Sequence, residues 1–241
     1  MKKSVKDILF YSTAFALVTV FGFLMYSASQ KVALQASTSP ASPKPVIIID
    51  PGHGGEDGGA VATDGTLEKG LNLSIATYLC QLFKEQGFDV VMTRTEDVAL
   101  GDQSLSSVRE RKRSDLQNRT EIMNSYPNSV TISIHQNKFE QSQYSGTQVF
   151  YSVNDVGSVK LAEAIRASVV KEIQPSNKRE IKPATDSIYL LNHAQYTAVL
   201  VECGFLSNSE ELSQLKDEQY QEKLAHAIFS GFLAYYQTGQ G

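Results

Sequence analysis

The chain has 241 residues, and its 22 Lys and Arg against 26 Asp and Glu give a formal net charge of −4 at neutral pH. This length suits one domain of about 190 residues, long enough to bury a core, plus an N-terminal appendage. The charge is mildly acidic and no basic aromatic patch is present, which argues against nucleic acid as a partner. Two cysteines are too few for a disulfide framework.

The N-terminal segment contains an apolar stretch long enough to span a membrane. Residues 8–30 carry no charge, and three lysines precede them. Lysines on that side predict a cytoplasmic position for residues 1–7 and export of the rest of the chain. We therefore expect a transmembrane signal anchor over residues 8–30. The alternative is a signal peptide that is cleaved near residues 27–29, which would also export the domain.

A linker and the first strand follow the apolar stretch. Residues 31–45 are rich in Ser and Pro and predict an extended linker. Residues 46–50 are mostly apolar and β-branched, as in a strand covered on both faces, and Pro-Gly ends the strand abruptly. His53 therefore lies on a turn at the carboxyl end of this strand, where open α/β sheets usually place their sites.

The next predicted elements are a helix and a strand. Glu68 opens an amphipathic helix that we place over residues 71–85, because apolar residues recur there at helical spacing. A strand is predicted over residues 89–93, and Arg94 follows it directly. Arg94 offers a planar fork for a carboxylate of a ligand, and a structural ion pair is an equally good interpretation.

An arginine-rich helix and another buried strand come next. We predict the helix over residues 105–124, and its basic cluster at residues 109–113 forms either a solvated face or a surface that meets an anionic glycan. The strand over residues 130–134 is apolar and ends at His135. Asn137 lies two residues further and is a candidate to orient that imidazole or to donate to an oxyanion.

The last third of the chain alternates strands and helices and contributes two more candidate residues. Arg179 is the second candidate for a carboxylate of a ligand, again with a surface ion pair as the alternative. Glu202 ends an apolar strand, where a carboxylate is costly unless it has a partner. The predicted strands cover residues 147–151, 187–190 and 199–201, and the predicted helices cover residues 158–172 and 218–236.

This alternation predicts the fold class and one shared edge for the candidate residues. We expect an α/β fold, with a mixed, mostly parallel central sheet flanked by helices on both faces, in a single catalytic domain over residues 46–241. His53, Glu68 and His135 all lie at strand ends or at a helix start. Two imidazoles and a carboxylate, with a fourth position left to water, are the ligands of catalytic zinc.

Five ordered blocks of sequence resemble a known family. They lie within residues 46–236, and together they resemble the zinc-dependent N-acetylmuramoyl-L-alanine amidases of the Amidase_3 type. The blocks are residues 50–60 (DPGHGGEDGGA), 67–73 (LEKGLNL), 92–94 (MTR), 133–137 (SIHQN) and 200–208 (LVECGFLSN).

The resemblance implies both an activity and a set of roles. It implies a zinc ion bound by His53, Glu68 and His135, with Glu202 as the catalytic acid and base. The zinc would activate water, and Glu202 would move its proton during cleavage of the amide between the lactyl group of N-acetylmuramic acid and L-alanine in peptidoglycan.

Within the family, the chain looks most like the germination-specific, spore cortex branch. The grounds are a short membrane-anchored form without wall-binding repeats, the stretch at residues 100–119 and the segment at residues 188–191. This branch implies functional coupling to a peptidoglycan deacetylase that leads to muramic-δ-lactam, and an accessory activator protein. It also implies an extracytoplasmic catalytic domain in the space between forespore and mother cell membranes.

Two other functions remain as alternatives at this point. The first is a zinc peptidase that cuts between amino acids of the stem peptide, which the same ligand set would permit. The second is a catalytically weak, membrane-tethered module that binds peptidoglycan and activates another enzyme. The presence of all four predicted catalytic residues argues against the second alternative.

Overall fold

The computed structural model describes residues 19–27 and 44–238, and the chain divides into two units, residues 1–43 and 44–241. In the first unit, residues 19–27 are helical. The rest of the predicted anchor over residues 8–30, and the linker up to residue 43, lie outside the described residues. Across the two described ranges, no helix combines the length and the apolarity that a membrane crossing requires.

The second unit is built on a six-stranded sheet. The strands are β1 (Ile47–Pro51), β2 (Val90–Met92), β3 (Val130–Asn137), β4 (Gln148–Tyr151), β5 (Lys182–Pro183) and β6 (Thr197–Phe205). Their order in the sheet is β2-β1-β3-β6-β4-β5. β1 pairs in parallel with β2 and β3, and β3 pairs in parallel with β6. β4 is antiparallel to β6 and parallel to β5. The predicted mixed, mostly parallel sheet is thus confirmed.

Helices cover both faces of this sheet, as predicted. The helices of this unit are α1 (Glu68–Glu85), α2 (Val108–Asn124), α3 (Val156–Glu172), α4 (Tyr189–Asn192), α5 (Ser209–Leu215) and α6 (Glu218–Thr238). The larger apolar cluster joins α1, α3 and α6 to one face, and a smaller cluster joins α2 and α4 to the other. A capping box between Ser107 and Glu110 begins α2.

The central strands are buried on both faces of the sheet. Ile47 and Ile49 of β1 belong to the larger cluster, whereas Ile48 points into the smaller one, and all three are fully buried. A side chain of this size stabilises the fold by about 1.5–3 kcal/mol when it is fully buried. A shift of register by one residue would exchange the two faces. Because β1, β3 and β6 are parallel neighbours, their carboxyl ends lie at one edge of the sheet.

One predicted element is wrong and two were not predicted. The strand predicted over residues 187–190 is absent, because the helix α4 occupies this place. Leu190 and Leu191 are adjacent in sequence and yet both contact the smaller cluster, which strand alternation does not allow. β5 has two residues and α5 has seven, too few for a periodic pattern to show in the sequence.

Candidate metal centre

Three predicted ligands from three separate elements meet at the carboxyl edge of the sheet. His53 follows β1, Glu68 begins α1 and His135 lies in β3, and one ligand atom from each lies within 4.8 Å of the other two. Oε1 of Glu68 is 3.2 Å from Nε2 of His53 and 3.0 Å from Nδ1 of His135. The structure thus brings together the trio that the sequence pattern singles out.

The backbone around these ligands is unusually tight. His53 has φ of 62°, a left-handed conformation that non-glycine residues rarely adopt and that costs about 1–3 kcal/mol. A Cβ atom added to Gly52 would lie 2.2 Å from the imidazole of His135. The Pro-Gly turn therefore allows one histidine to pack directly against the backbone that presents the other.

Gly59 offers a test of this tight packing. It has φ of +69°, and an added Cβ would lie 2.6 Å from Oε2 of Glu68 and 2.7 Å from Cδ2 of His53. We expect Gly59→Ala to displace one of these ligands and weaken zinc affinity by about 10- to 100-fold, as measured by chelator competition.

Gly65→Ala is the matched control for Gly59→Ala. Gly65 also has positive φ, +87°, but nothing lies within 4 Å of the added Cβ. It therefore reproduces the backbone strain without crowding the ligands. Equal zinc affinities in the two variants would contradict the steric explanation.

Glu68 is buried and held by three groups besides the histidines. Its Oε2 accepts the backbone N–H of Ala60 at 2.8 Å, and Oε1 accepts the N–H of Gln136 at 3.0 Å and Nδ2 of Asn72 at 3.2 Å. Asn72 also donates to the carbonyl of Gly52. Burial alone would raise the pKa of Glu68, but the hydrogen bonds with His135 and His53 outweigh it and lower that pKa. Glu68 is therefore a carboxylate at neutral pH.

Asp57 orients the imidazole of His53. Its Oδ2 lies 2.8 Å from Nδ1 of His53 and 3.1 Å from Nζ of Lys112. Burial lowers the pKa of His53, but hydrogen bonds with Asp57 and Glu68 outweigh burial and raise it to about 9. Because Asp57 holds Nδ1, Nε2 is the nitrogen that faces Glu68. Ligating histidines usually have such a carboxylate on their other nitrogen.

Glu202 lies directly beside His135, because the two residues are register partners in the β3–β6 ladder. Its Oε2 atom is enclosed and has no hydrogen-bond partner within the described residues. Burial raises the pKa of Glu202 to about 7. A carboxyl with this pKa exchanges protons readily at neutral pH, as a general acid and base must.

A buried ion pair supports the loop that carries His53. Asp50 accepts hydrogen bonds from Thr93 Oγ1, Ser133 Oγ and Arg119 Nη1, at 2.6, 2.6 and 2.7 Å. Arg119 also donates to the carbonyls of Pro51 and His53. Burial raises the pKa of Asp50, but Arg119 and the two hydroxyls lower it to about 2. Asp50 and Arg119 thus fix the turn beneath the metal centre.

We expect Asp50→Asn to lower the free energy of unfolding at pH 7 by about 2–4 kcal/mol, because it leaves the charge of Arg119 buried without this partner. The pKa of Asp50 is lower in the folded chain than its ordinary value of 3.8. Its contribution is therefore fully present above about pH 4 and is lost as the pH falls towards 2. Urea unfolding at several pH values measures the difference between variant and wild type, which should shrink over that range.

Asp97→Asn is the control for this pH series. Asp97 pairs with Lys69 at 2.7 Å, but its side chain is 56% exposed, and exposed pairs contribute little. A loss in Asp97→Asn as large as that in Asp50→Asn would show that burial is not the cause.

Arg94 does not face the metal centre. It is buried, and its guanidinium donates to four backbone carbonyls: Pro51, Gly52, Lys69 and Glu96. Of the two interpretations that the sequence leaves open for Arg94, this geometry favours the structural one, which ties the turn after β1 to the start of α1.

Asn137 and Arg179 lie on the same side of the sheet as the candidate metal centre, at the carboxyl ends of β3 and β6. Asn137 is the last residue of β3, is partly exposed, and accepts the N–H of Leu206 on its carbonyl. Arg179 is partly exposed and its guanidinium lies over the ring of Phe205, the last residue of β6. The basic cluster at residues 109–113 contributes the Lys112 contact to Asp57 and an ion pair between Arg111 and Glu56.

Sequence reasoning missed four residues that hold this centre: Asp50, Asp57, Asn72 and Arg119. Two of them carried a usable signal. Asn72 is four residues after Glu68 and so shares its helix face, and Asp57 lies within the same glycine-rich block as His53. Asp50 and Arg119 are 69 residues apart in the sequence, and no local pattern predicts their pairing.

The residues fit a zinc ion. Two imidazole nitrogens and one carboxylate oxygen within 4.8 Å of one another match the ligand set of catalytic zinc. The enclosed oxygen of Glu202, which no described group satisfies, is the expected state of an acid–base group whose partner belongs to the reaction.

Comparison with known proteins gives a consistent result. The family model of N-acetylmuramoyl-L-alanine amidase, Amidase_3, matches residues 47–234. A germination-specific N-acetylmuramoyl-L-alanine amidase of Bacillus subtilis is 32% identical, and the match covers 98% of this chain and 97% of that protein.

Solved structures agree with this match. The CwlD amidase from Clostridioides difficile, in complex with the GerS lipoprotein, is 40% identical with a TM-score of 0.78, and the match covers 81% of this chain and 100% of that one. The amidase AmiC2 of Nostoc punctiforme is 29% identical with a TM-score of 0.68, over 81% of this chain and 99% of that one. The chain belongs to the Amidase_3 family and is an N-acetylmuramoyl-L-alanine amidase.

Proposed function

We propose that this amidase is zinc-dependent and hydrolyses the amide between the lactyl group of N-acetylmuramic acid and L-alanine of the stem peptide. The observation that carries the proposal is the juxtaposition of three ligand atoms within 4.8 Å with a carboxyl that has an enclosed, unpaired oxygen. His53, Glu68 and His135 would hold the zinc, and Glu202 would be the catalytic residue.

Each residue has a distinct task in this proposal. A bound zinc ion supplies a Lewis acid that polarises the scissile carbonyl and makes water more acidic. Glu202 takes the proton of the attacking water on its free oxygen and returns it to the amine of L-alanine as that amine leaves. Asp57 keeps His53 in the orientation that presents Nε2 to the metal. Asn137 donates to the oxyanion or orients His135.

Product identification by mass spectrometry tests this assignment directly. Digestion of peptidoglycan should release stem peptides that begin with an intact L-alanine, together with a zinc content near one ion per chain. Shortened peptides would instead show a zinc peptidase. Binding of peptidoglycan without turnover, with zinc present and both with and without candidate partner proteins, would instead indicate a catalytically weak binding module.

The physiological substrate that we propose is spore cortex peptidoglycan. The support is the similarity over nearly the full length to an amidase described as germination-specific. Removal of stem peptides would then prepare muramic acid residues for a deacetylase, leading to muramic-δ-lactam. The CwlD structure contains a lipoprotein, GerS, and by analogy we propose an accessory activator protein for this chain. Lactam formation by amidase and deacetylase together, and by neither alone, is the expected result.

We also propose that residues 8–30 anchor the chain in a membrane, with the catalytic domain outside the cytoplasm. The uncharged stretch and the preceding lysines support this orientation. Protease added to intact cells or spheroplasts should digest the catalytic domain, and the chain should sediment with membranes. Recovery of a shorter chain from the medium would indicate the cleaved signal peptide instead.

A further inference from the structure

A polar cavity opens beside the catalytic edge of the sheet. Its volume is about 560 Å³, and its walls include Tyr144, Gly146, Asn177, Lys178 and Arg179. Sites for small ligands have volumes of about 300–1,000 Å³. The lining contains none of the four proposed catalytic residues. The cavity is therefore separate from the candidate metal centre.

The β-ladder connects this cavity to the catalytic residues. His135 pairs with Glu202, and Glu202 pairs with Gln148 on β4. Residues that are paired directly across neighbouring strands point to the same face, so these three side chains form a row. Neighbouring strands are about 4.8 Å apart, which makes the row about 10 Å long from His135 to Gln148. Nη1 of Arg179 lies 3.4 Å from Oε1 of Gln148 and extends the row into the cavity.

The guanidinium of Arg179 is held in place, and its Nη2 atom is available to a ligand. It lies over the buried ring of Phe205, with 4.4 Å between Cζ and the ring centroid, and Nε donates to the carbonyl of Ser145 at 2.6 Å. The ring centroid of Tyr144 lies 5.9 Å from the same Cζ atom. Within residues 44–238, Nη2 of Arg179 makes no hydrogen bond. A pre-oriented fork loses less entropy when it binds a planar anion.

Two of the acidic groups around Arg179 are engaged elsewhere, and a third, Glu210, lines the same cavity. The buried carboxyl of Glu211 accepts the backbone N–H groups of Gly146 and Phe205, at 2.7 and 2.8 Å, and Glu180 pairs with Arg166 at 3.0 Å. In the described part of the chain, no carboxylate forms an ion pair with Arg179. An unpaired guanidinium beside a cavity is suited to an anionic ligand, because a bidentate carboxylate satisfies its remaining donors.

We propose that this cavity selects substrates by binding a carboxylate of the stem peptide through Arg179, with Gln148 setting its distance from His135, the metal ligand at the other end of the row. This inference rests on the proposed function. One residue of an extended peptide spans at most about 3.3–3.6 Å, so a distance of about 10 Å corresponds to two or three residues. The recognised carboxylate therefore belongs to the second or third residue after the scissile amide.

Three muramoyl tripeptides test the inference on the full chain in detergent. One has both carboxylates free, one is amidated at the second residue, and one is amidated at the third. We expect one of the two amidations to lower kcat/KM by about 10- to 100-fold, mostly through KM, and its position identifies the carboxylate. In Arg179→Gln the ratio between free and amidated substrate should fall to near 1, and Arg179→Lys should give an intermediate ratio.

Lys171→Gln is the control variant. It removes an exposed positive charge from the last turn of α3, outside the cavity, and should keep the wild-type ratio. Equal kcat/KM of the wild type on all three substrates would overturn the inference, as would an unchanged ratio in a folded Arg179→Gln. The release of intact peptide from the free substrate reports on the proposed function separately, so the two failures are distinguishable.

Discussion

Glu202→Gln should lower kcat for peptidoglycan by about 10²- to 10⁴-fold, the range that a general acid and base contributes. The amide has nearly the shape of the carboxyl but cannot accept the proton of water or deliver it to the leaving amine. The side chain lies beside His135 without belonging to the ligand trio. We therefore expect zinc content and melting temperature to remain those of the wild type.

Glu202→Asp provides the matched comparison. It keeps the carboxyl but withdraws it towards β6, so we expect partial activity between the wild type and the glutamine variant. Metal analysis and single-turnover kinetics on the same preparations separate binding from chemistry. A Glu202→Gln enzyme with wild-type kcat would remove Glu202 from the mechanism and leave only the zinc ligands of the proposal.

Replacement of His53 should abolish both zinc binding and hydrolysis. Loss of a group that only holds a ligand in place weakens metal affinity by about 10- to 100-fold, and loss of the ligand itself should exceed that. His53→Ala should therefore be purified without zinc and be inactive at micromolar zinc. Inductively coupled plasma mass spectrometry and turnover, measured on one sample, check this result.

The backbone of His53 requires a second variant. Its φ of 62° is unfavourable for alanine, so His53→Ala adds strain to the loss of a ligand. Asparagine tolerates left-handed backbone, and His53→Asn should show the same loss of zinc with a smaller loss of stability. His226→Ala removes an exposed histidine of α6 and should keep full zinc content. Zinc retained in both His53 variants would contradict the ligand assignment.

The strands that position the site were predictable because they are buried on both faces. β1, β3 and β6 appear in the sequence as apolar runs, and each predicted run overlaps the observed strand. Long amphipathic helices such as α1 and α6 were equally clear. The prediction failed for residues 187–190, where a short apolar run fits a strand or a buried helix turn equally well. The antiparallel direction of β4 also has no local signature.

The residues proposed to bind zinc and to move protons were more predictable than the residues that support them. Chemistry restricts which side chains can bind zinc, so two histidines and two glutamates at the ends of elements were conspicuous. The support comes from pairs distant in sequence, such as Asp50 with Arg119, and Arg94 with the turn after β1. Arginines that were plausible as substrate contacts differ only in tertiary position: Arg94 is enclosed by carbonyls, and Arg179 borders a cavity.

The antiparallel direction of β4 separates two parts of the site: the loop that shapes its rim and the strands that position its residues. β4 begins at the edge of the sheet where β3 and β6 end. The loop over residues 138–147 therefore lies at the same rim as the loop that follows Phe205. The position of Glu202 beside His135 is set by the β3–β6 ladder and not by this loop. Exchange of residues 138–147 with those of another family member should therefore redirect which wall polymers are accepted while hydrolysis itself persists.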